Sequence, residues 1–206
     1  MIKQGILLLV MVGLAYGKTF YEERQREKKQ IFYLEEENHQ SGIRIVAKSS
    51  GETHVFWLDK GYATQKWFFT NKDVQFAIER EGNVLVRKEH GVIITNYIID
   101  KAPWYQFVEV SFRPWILSKE KKKDLFWIIQ PGIMALHRMV ATKEGEETLE
   151  IDGKRISTIK VRMTLPGAMA AFWGSWYWCD QNGVFLRYEG VRVMGQPEII
   201  VQRIFP

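Results

Sequence analysis

The sequence predicts a mainly β protein, a single curved antiparallel sheet with one or more short helices. From Ile31 onward, short runs of alternating apolar and polar residues are separated by turn formers roughly every 8 to 12 positions, the rhythm of an up-and-down meander. Composition agrees: 46% hydrophobic, 26% charged and 14% aromatic residues with six prolines in 206 describe a globular chain and exclude a disordered or collagen-like one. This length supports one domain or a small pair and a core that needs no disulfide or structural metal. The lone Cys179 excludes an intrachain disulfide framework and a cysteine-rich zinc site. A net charge of +5 and a pI near 9.2 suit an anionic partner without selecting one.

The chain opens with Lys3, an apolar run from Gly5 to Leu14, and small residues Ala15 and Gly17 before Lys18. That arrangement matches a secretory signal peptide over 1–17, cut after Gly17. The uncharged stretch between Lys3 and Lys18 is 14 residues, shorter than the roughly 18 to 20 of a membrane span, so no permanent transmembrane segment is expected after cleavage. No cysteine stands near the cut, which closes the route of lipid attachment there. Residues 18–206 are then expected as a single domain.

Lys18 to Gln30 is dense in charge and reads as a solvated lead-in with a turn or two of helix. Ile43–Lys48, a turn at Ser49–Glu52 and Thr53–Leu58 read as a hairpin. Tyr62–Thr70 follows. Val74, Phe76 and Ile78 share one face of the next strand, and Glu81-Gly82-Asn83 turns the chain into Val84–Lys88. Gly91 opens Val92–Ile99. Pro103 and Pro114 argue against a central strand between 100 and 118, where an edge segment, loop or short helix is expected. The basic run Lys119, Lys121, Lys122, Lys123 lacks the interleaved stacking aromatics of a nucleic-acid surface and reads as a soluble tip; no nucleic acid is expected as a partner. Strands resume at Leu125–Ile129 and Ala135–Thr142, with a hairpin turn at Lys143–Glu146, then Glu147–Ile151 and Arg155–Leu165. After the Pro166-Gly167 break come Ala168–Cys179, Val184–Val193 and Glu198–Ile204, with turns at 180–183 and 194–197.

Catalytic apparatus is sparse. His39, His54, His90 and His137 are isolated and carry no metal-ligand spacing. Ser175 in Trp-Gly-Ser-Trp lacks the second glycine of a nucleophile elbow and reads as a small residue among aromatics. Cys179 has no neighbouring histidine and reads as a buried thiol. No phosphate-cradling glycine loop occurs, and Glu146, Glu147 and Glu150 read as surface charge. No enzyme activity, metal or cofactor is expected. Aromatic residues stand out instead. Trp57, Trp67, Trp127, Trp176 and Trp178 are candidates for lining an apolar ligand site, plain core packing being the alternative. In a strand, Trp176 and Trp178 would share one face and Tyr177 the other.

The run Glu147–Lys154, the strand Ile156–Val161 and the hairpin Trp176-Tyr177-Trp178-Cys179-Asp180-Gln181-Asn182-Gly183-Val184-Phe185-Leu186-Arg187 resemble the final strands of bacterial periplasmic half-barrel proteins of unknown function, similar in shape to the lipoprotein carriers of the Lol pathway. The resemblance covers roughly residues 140 to 204 at motif level. It implies an incomplete antiparallel barrel, wrapped round a helix or hollow, in the periplasm. Gly183 would supply a permissive turn, Asp180 would accept turn hydrogen bonds, and Arg187 would stay at the rim. The expected function is non-catalytic: an envelope protein holding a lipid-like or other apolar ligand, or a lipidated partner, on the concave face of its sheet. The alternative is a structural or assembly factor that contacts an envelope protein and holds no small molecule.

Overall fold

A computed structural model describes residues 18–191 and 197–205. The signal peptide expected over 1–17, and most of the turn expected at 194–197, lie outside the described residues. The remainder is one antiparallel sheet of fourteen strands, curved but not closed into a barrel. The first half comprises β1 (Thr19–Gln25), β2 (Lys28–His39), β3 (Gly42–Lys48), β4 (Glu52–Asp59), β5 (Thr64–Asn71), β6 (Gln75–Glu81), β7 (Val84–Glu89) and β8 (Val92–Ile98). A strap over 99–121 with two single-turn helices, α1 (Val108–Ser111) and α2 (Arg113–Ile116), leads to the second half. There follow β9 (Lys122–Gln130), β10 (Ala135–Ile151), β11 (Lys154–Thr164), β12 (Gly174–Asp180), β13 (Phe185–Gly190) and β14 (Ile199–Ile204).

Every sequential pair is adjacent except β8 and β9, which form the two edges; the halves join where β1 pairs with β14. The chain therefore starts in the middle of the sheet, meanders to one edge, crosses along the strap and meanders back. Three expectations change: the first residues of the strand expected over Ala168–Cys179 form a 3-10 turn, Gly167–Ala171, and β12 begins at Gly174. The lead-in is not helical: β1 is a central strand, its Tyr21 buried and stacked between Phe32 and Phe185, while Glu22 and Arg24 pair with each other on the opposite face. Lys143–Glu146 is not a hairpin either: β10 runs straight through it, bulged between Lys143 and Gly145 where it faces β11. Such a bulge adds curvature without ending pairing.

Cross-strand partners share a face, and one inner row runs Glu36–Ile45–Phe56–Trp67–Ile78–Arg87 across β2 to β7. Another runs Val201–Tyr188–Tyr177–Val161–Lys143 across β14 to β10. The strap fills the space between these rows. Phe112 meets Tyr105, Trp115, Phe126 and Tyr177 edge-on, an arrangement favoured by the ring quadrupoles. Trp104, Val110, Trp115 and Ile116 are buried in the same cluster. A smaller cluster on the outer face, Leu149, Ile151, Trp178 and Leu186, folds the tip of the β10–β11 hairpin onto β12 and β13.

The strap also covers one edge. Trp104 bridges Trp127 in parallel, with Tyr105 N–H donating to Trp127 O at 2.9 Å and Trp127 N–H to Pro103 O at 2.8 Å. Gln106 accepts from Ile129 N–H at 3.0 Å and donates to Ile129 O at 2.8 Å. At its start Asp100 accepts from Trp127 Nε1 at 2.9 Å and from Ala102 N–H at 2.9 Å, and pairs with Arg138. The Trp127 bond first, then that of Ala102, holds the Asp100 carboxyl below the usual aspartate range.

Two outcomes follow. Gly42 sits at φ +152° where a Cβ would lie 1.9 Å from Leu58 O, so Gly42→Ala is expected to cost about 3 kcal/mol, read as a lowered urea midpoint. A carboxyl depressed in the folded state stabilises above its unfolded pKa, and that contribution is lost as pH falls through the folded value. The stability gap between the wild type and Asp100→Asn should thus be open at neutral pH and close on acidification through and below the ordinary aspartate range, measured by urea titration across pH.

Candidate binding surfaces

The concave face is occupied by the chain itself. Trp67 lies there, almost wholly buried between Phe56 and Phe76, its Nε1 donating to His54 Nδ1 at 3.2 Å. Where the strap meets β1, β2 and β3 a cavity of about 60 Å³ remains, lined in part by Tyr21, Glu36, Glu109, Val110 and Arg113. Pockets that enclose a small molecule run to about 300–1,000 Å³, so this one has room for water and not for an acyl chain. Arg113 grips Glu36 through both guanidinium arms, at 2.7 and 2.9 Å. Burial works against the Arg113 charge, but the Glu36 bonds outweigh it and the guanidinium is held above its ordinary value. Gly183, at φ +73°, lets the Asp180–Gly183 turn lie against Arg113; a Cβ there would come within 2.8 Å of Arg113 Cγ. On the far side Lys143 Nζ donates to Ile116 O at 3.1 Å and Ser118 O at 2.7 Å. Of these three anchoring residues only Glu36 carried a faint sequence signal, as an acid on the face set by Phe32 and inward-facing Leu34.

The other tryptophans lie apart from that interior. Trp57 is on the outer face in the row Glu37–Arg44–Trp57–Lys66–Glu79, with Lys66 Nζ 5.3 Å from its ring. Trp178 stands in the row Lys160–Trp178–Arg187–Gln202, flanked by Lys160 at 5.2 Å and Arg187 at 5.9 Å, and Trp176 packs beside the same outer cluster. Trp127 is at the covered edge, with Arg138 5.3 Å from its ring. The five candidates thus fall in separate places: one in the core, one at the strap and three outside, of which only Trp176 and Trp178 share a cluster. Strand alternation explains this, since a face argument orders neighbours within one strand but does not tell which face of a distant strand meets it. The outer ladders are charge-paired: Glu79 accepts from Lys66 and Lys88 at 2.6 and 2.7 Å, and those bonds hold its carboxyl down.

Chemically reactive groups are quiet. Burial pushes the Cys179 thiol up to about 12 and the Tyr21 phenol also up, and Tyr21 donates to Phe185 O at 3.1 Å. Ser175 is fully buried, its Cβ 2.6 Å from where a Cβ on Gly190 would stand. His137 Nε2 bonds Gln130 Oε1 at 2.9 Å, and His39 and His54 lie beside Glu37 and Glu52. Glu147 pairs with Lys160 at 3.1 Å. Among the described residues no three His, Cys, Asp or Glu side chains converge on a metal-sized site, and no helix is long and apolar enough to cross a membrane.

The two sheet edges are unequal. β9 is covered by residues 103–106, whereas among the described residues no strand pairs with the far side of β8. The segment Val92–Ile98 carries no charge, and Val92, Ile93, Ile94 and Ile98 are all exposed, Ile98 at 82%. Its pairing to β7 is bulged between Arg87 and Lys88, and one contact from its end reaches across, Tyr97 OH donating to Met134 O at 3.0 Å.

No family model and no curated protein matches the chain. Among solved structures, a hypothetical lipoprotein, YmcC of Escherichia coli K12, aligns at 14% identity over 94% of this chain and 85% of its own, with a TM-score of 0.43. The beta-barrel-like protein of the domain of unknown function DUF1849 from Brucella abortus aligns at 10% identity over 91% of this chain and 94% of its own, with a TM-score of 0.59. The described chain therefore has the barrel-like antiparallel fold of that Brucella protein, in keeping with the half-barrel expectation.

Proposed function

We propose that this chain is a non-catalytic, exported envelope protein that makes protein contacts by accepting an extended partner segment along β8. The observation that carries the reading is the state of that edge. A row of free backbone donors and acceptors flanked by exposed β-branched side chains is a template for strand addition, and natural sheets blunt such edges with charge or proline. This sequence places paired charges on outer rows such as Glu37–Arg44–Trp57–Lys66–Glu79 and none on Val92–Ile98. Export is supported by the leader-like 1–17 segment, and the periplasm by the motif resemblance. The filled interior favours protein contacts over a lipid or lipidated group held on the concave face, because such a ligand would have to displace α1 and α2 from their packing.

Two measurements test this. A photo-crosslinking residue at exposed Asn96 should capture a defined envelope protein in cells, and Ile93→Lys with Ile98→Lys should abolish the product while leaving the thermal midpoint unchanged. Capture only of a second copy, or an unchanged yield in the double variant, would sink the reading. Native mass spectrometry of protein released from the envelope without detergent should show no bound amphiphile; a stoichiometric one would return the interior to consideration.

A further inference from the structure

A second surface, on the outer face and remote in sequence from β8, points to a different occupant. Between β11 and β12 the chain runs Pro166-Gly167-Ala168-Met169-Ala170-Ala171-Phe172-Trp173, eight residues without a charge. Its single 3-10 turn, Gly167–Ala171, has no buried residue, and Met169 and Phe172 are 48% and 72% exposed. A soluble surface gains nothing by presenting a large phenyl ring on an apolar loop, since burial of such a side chain is strongly favourable.

Beneath the loop lies an open cleft of about 280 Å³ whose polar lining comes from Lys122, Thr142, Arg162 and Thr164. Lys122, Thr142, Arg162 and Trp176 form one cross-strand row on the outer face. Arg162 Nη2 donates to Ala170 O at 3.1 Å, which fixes the loop over the cleft, while its buried Nε has no partner among the described residues. Lys122 Nζ lies 2.7 Å from Asp124, both well exposed. The segment that delivers Lys122 brings Lys119, Lys121 and Lys123 against Glu120 and Asp124, and Leu117 is exposed at its start. The side chains that line the cleft itself include no acid.

From this juxtaposition we propose that the Pro166–Trp173 loop docks on the surface of an anionic lipid bilayer. Phe172 and Met169 enter the interface, and Arg162 and Lys122 receive a lipid phosphate in the cleft. An apolar wedge beside a basic patch is the combination that interfacial binding needs, because either alone gives only marginal attachment. Charge complementarity selects anionic lipid over neutral lipid. The wedge also distinguishes this surface from a protein-binding strand edge, because the loop offers no extended run of backbone for pairing.

The test is flotation of the full exported protein with phosphatidylcholine vesicles made with and without phosphatidylglycerol. Wild type should float with the anionic vesicles and far less with neutral ones. Met169→Ser with Phe172→Ser should lower partitioning at least about tenfold, Phe172→Trp should retain it, and the thermal midpoint should hold because both residues are exposed. Lys122→Gln, alone and with Arg162→Gln, should weaken binding to anionic vesicles only, by about tenfold for the pair. Equal flotation of the serine variant would overturn the proposal. So would a lysine and arginine effect of the same size on neutral vesicles, or failure of the wild type to float with the anionic ones.

Discussion

The structure depends on the strap being held inside the sheet from both sides. One inner row ends in Glu36 and the other in Lys143, and each reaches the strap with its charge. Glu36 accepts the Arg113 fork, and Lys143 donates to the carbonyls of Ile116 and Ser118. Two single-turn helices leave most of their backbone groups without intrahelical partners, so they are stable only where side chains and packing satisfy them. Here the last carbonyl of α2, that of Ile116, meets a cation, the favourable sign at a helix C-terminus. Phe112, seated among four aromatic rings, then converts the crossing from a loop over the surface into the centre of the core.

That arrangement explains why the sheet need not close. A barrel removes its edges by pairing first strand with last, but this chain pairs β1 with β14 in the middle and leaves β8 and β9 as edges. The strap's residues 103–106 serve as a short parallel strand for β9, with the Gln106 side chain mimicking a backbone peptide by accepting from and donating to Ile129. Asp100 ties the same seam through Trp127 and Arg138. One segment thus fills the interior and covers one edge, and among the described residues no strand covers the other.

Sheet class and most hairpins were legible because alternation and turn chemistry are local. Phe76 and Ile78 point inward as their spacing requires, and the Asp180–Gly183 turn forms with Asp180 Oδ1 accepting from Asn182 and Val184 at 2.9 and 2.8 Å. What could not be read was non-local. The charges of 19–29 fall on both faces of β1, Glu22 and Arg24 outside and Glu23 opposite Val201, and on the turn into β2; the strand identity of β1 comes from pairing with β14 across almost the whole chain. Lys143-Glu144-Gly145-Glu146 has the composition of a turn, yet Gly145, at φ +148°, serves a bulge that lets β10 curve. The placement of the tryptophans is non-local in the same way: alternation puts Trp176 with Trp178, but no local rule says that Trp67 faces the opposite side of the curved sheet from them.

The division of aromatic residues between the faces bears on how the outer surface can act. A tryptophan on an outer strand is expected to be a liability for solubility, and here Trp57 and Trp178 are each flanked by cations of neighbouring strands, which keep the ring covered and the surface charged. Beside these screened rings, β8 and the Pro166–Trp173 loop are uncharged stretches that carry several exposed apolar side chains. They lie on different elements and offer different chemistry, a bare backbone row in one case and projecting side chains over a basic cleft in the other. Docking by the loop and strand addition at β8 use different residues, and neither contact would require the strap to leave the core.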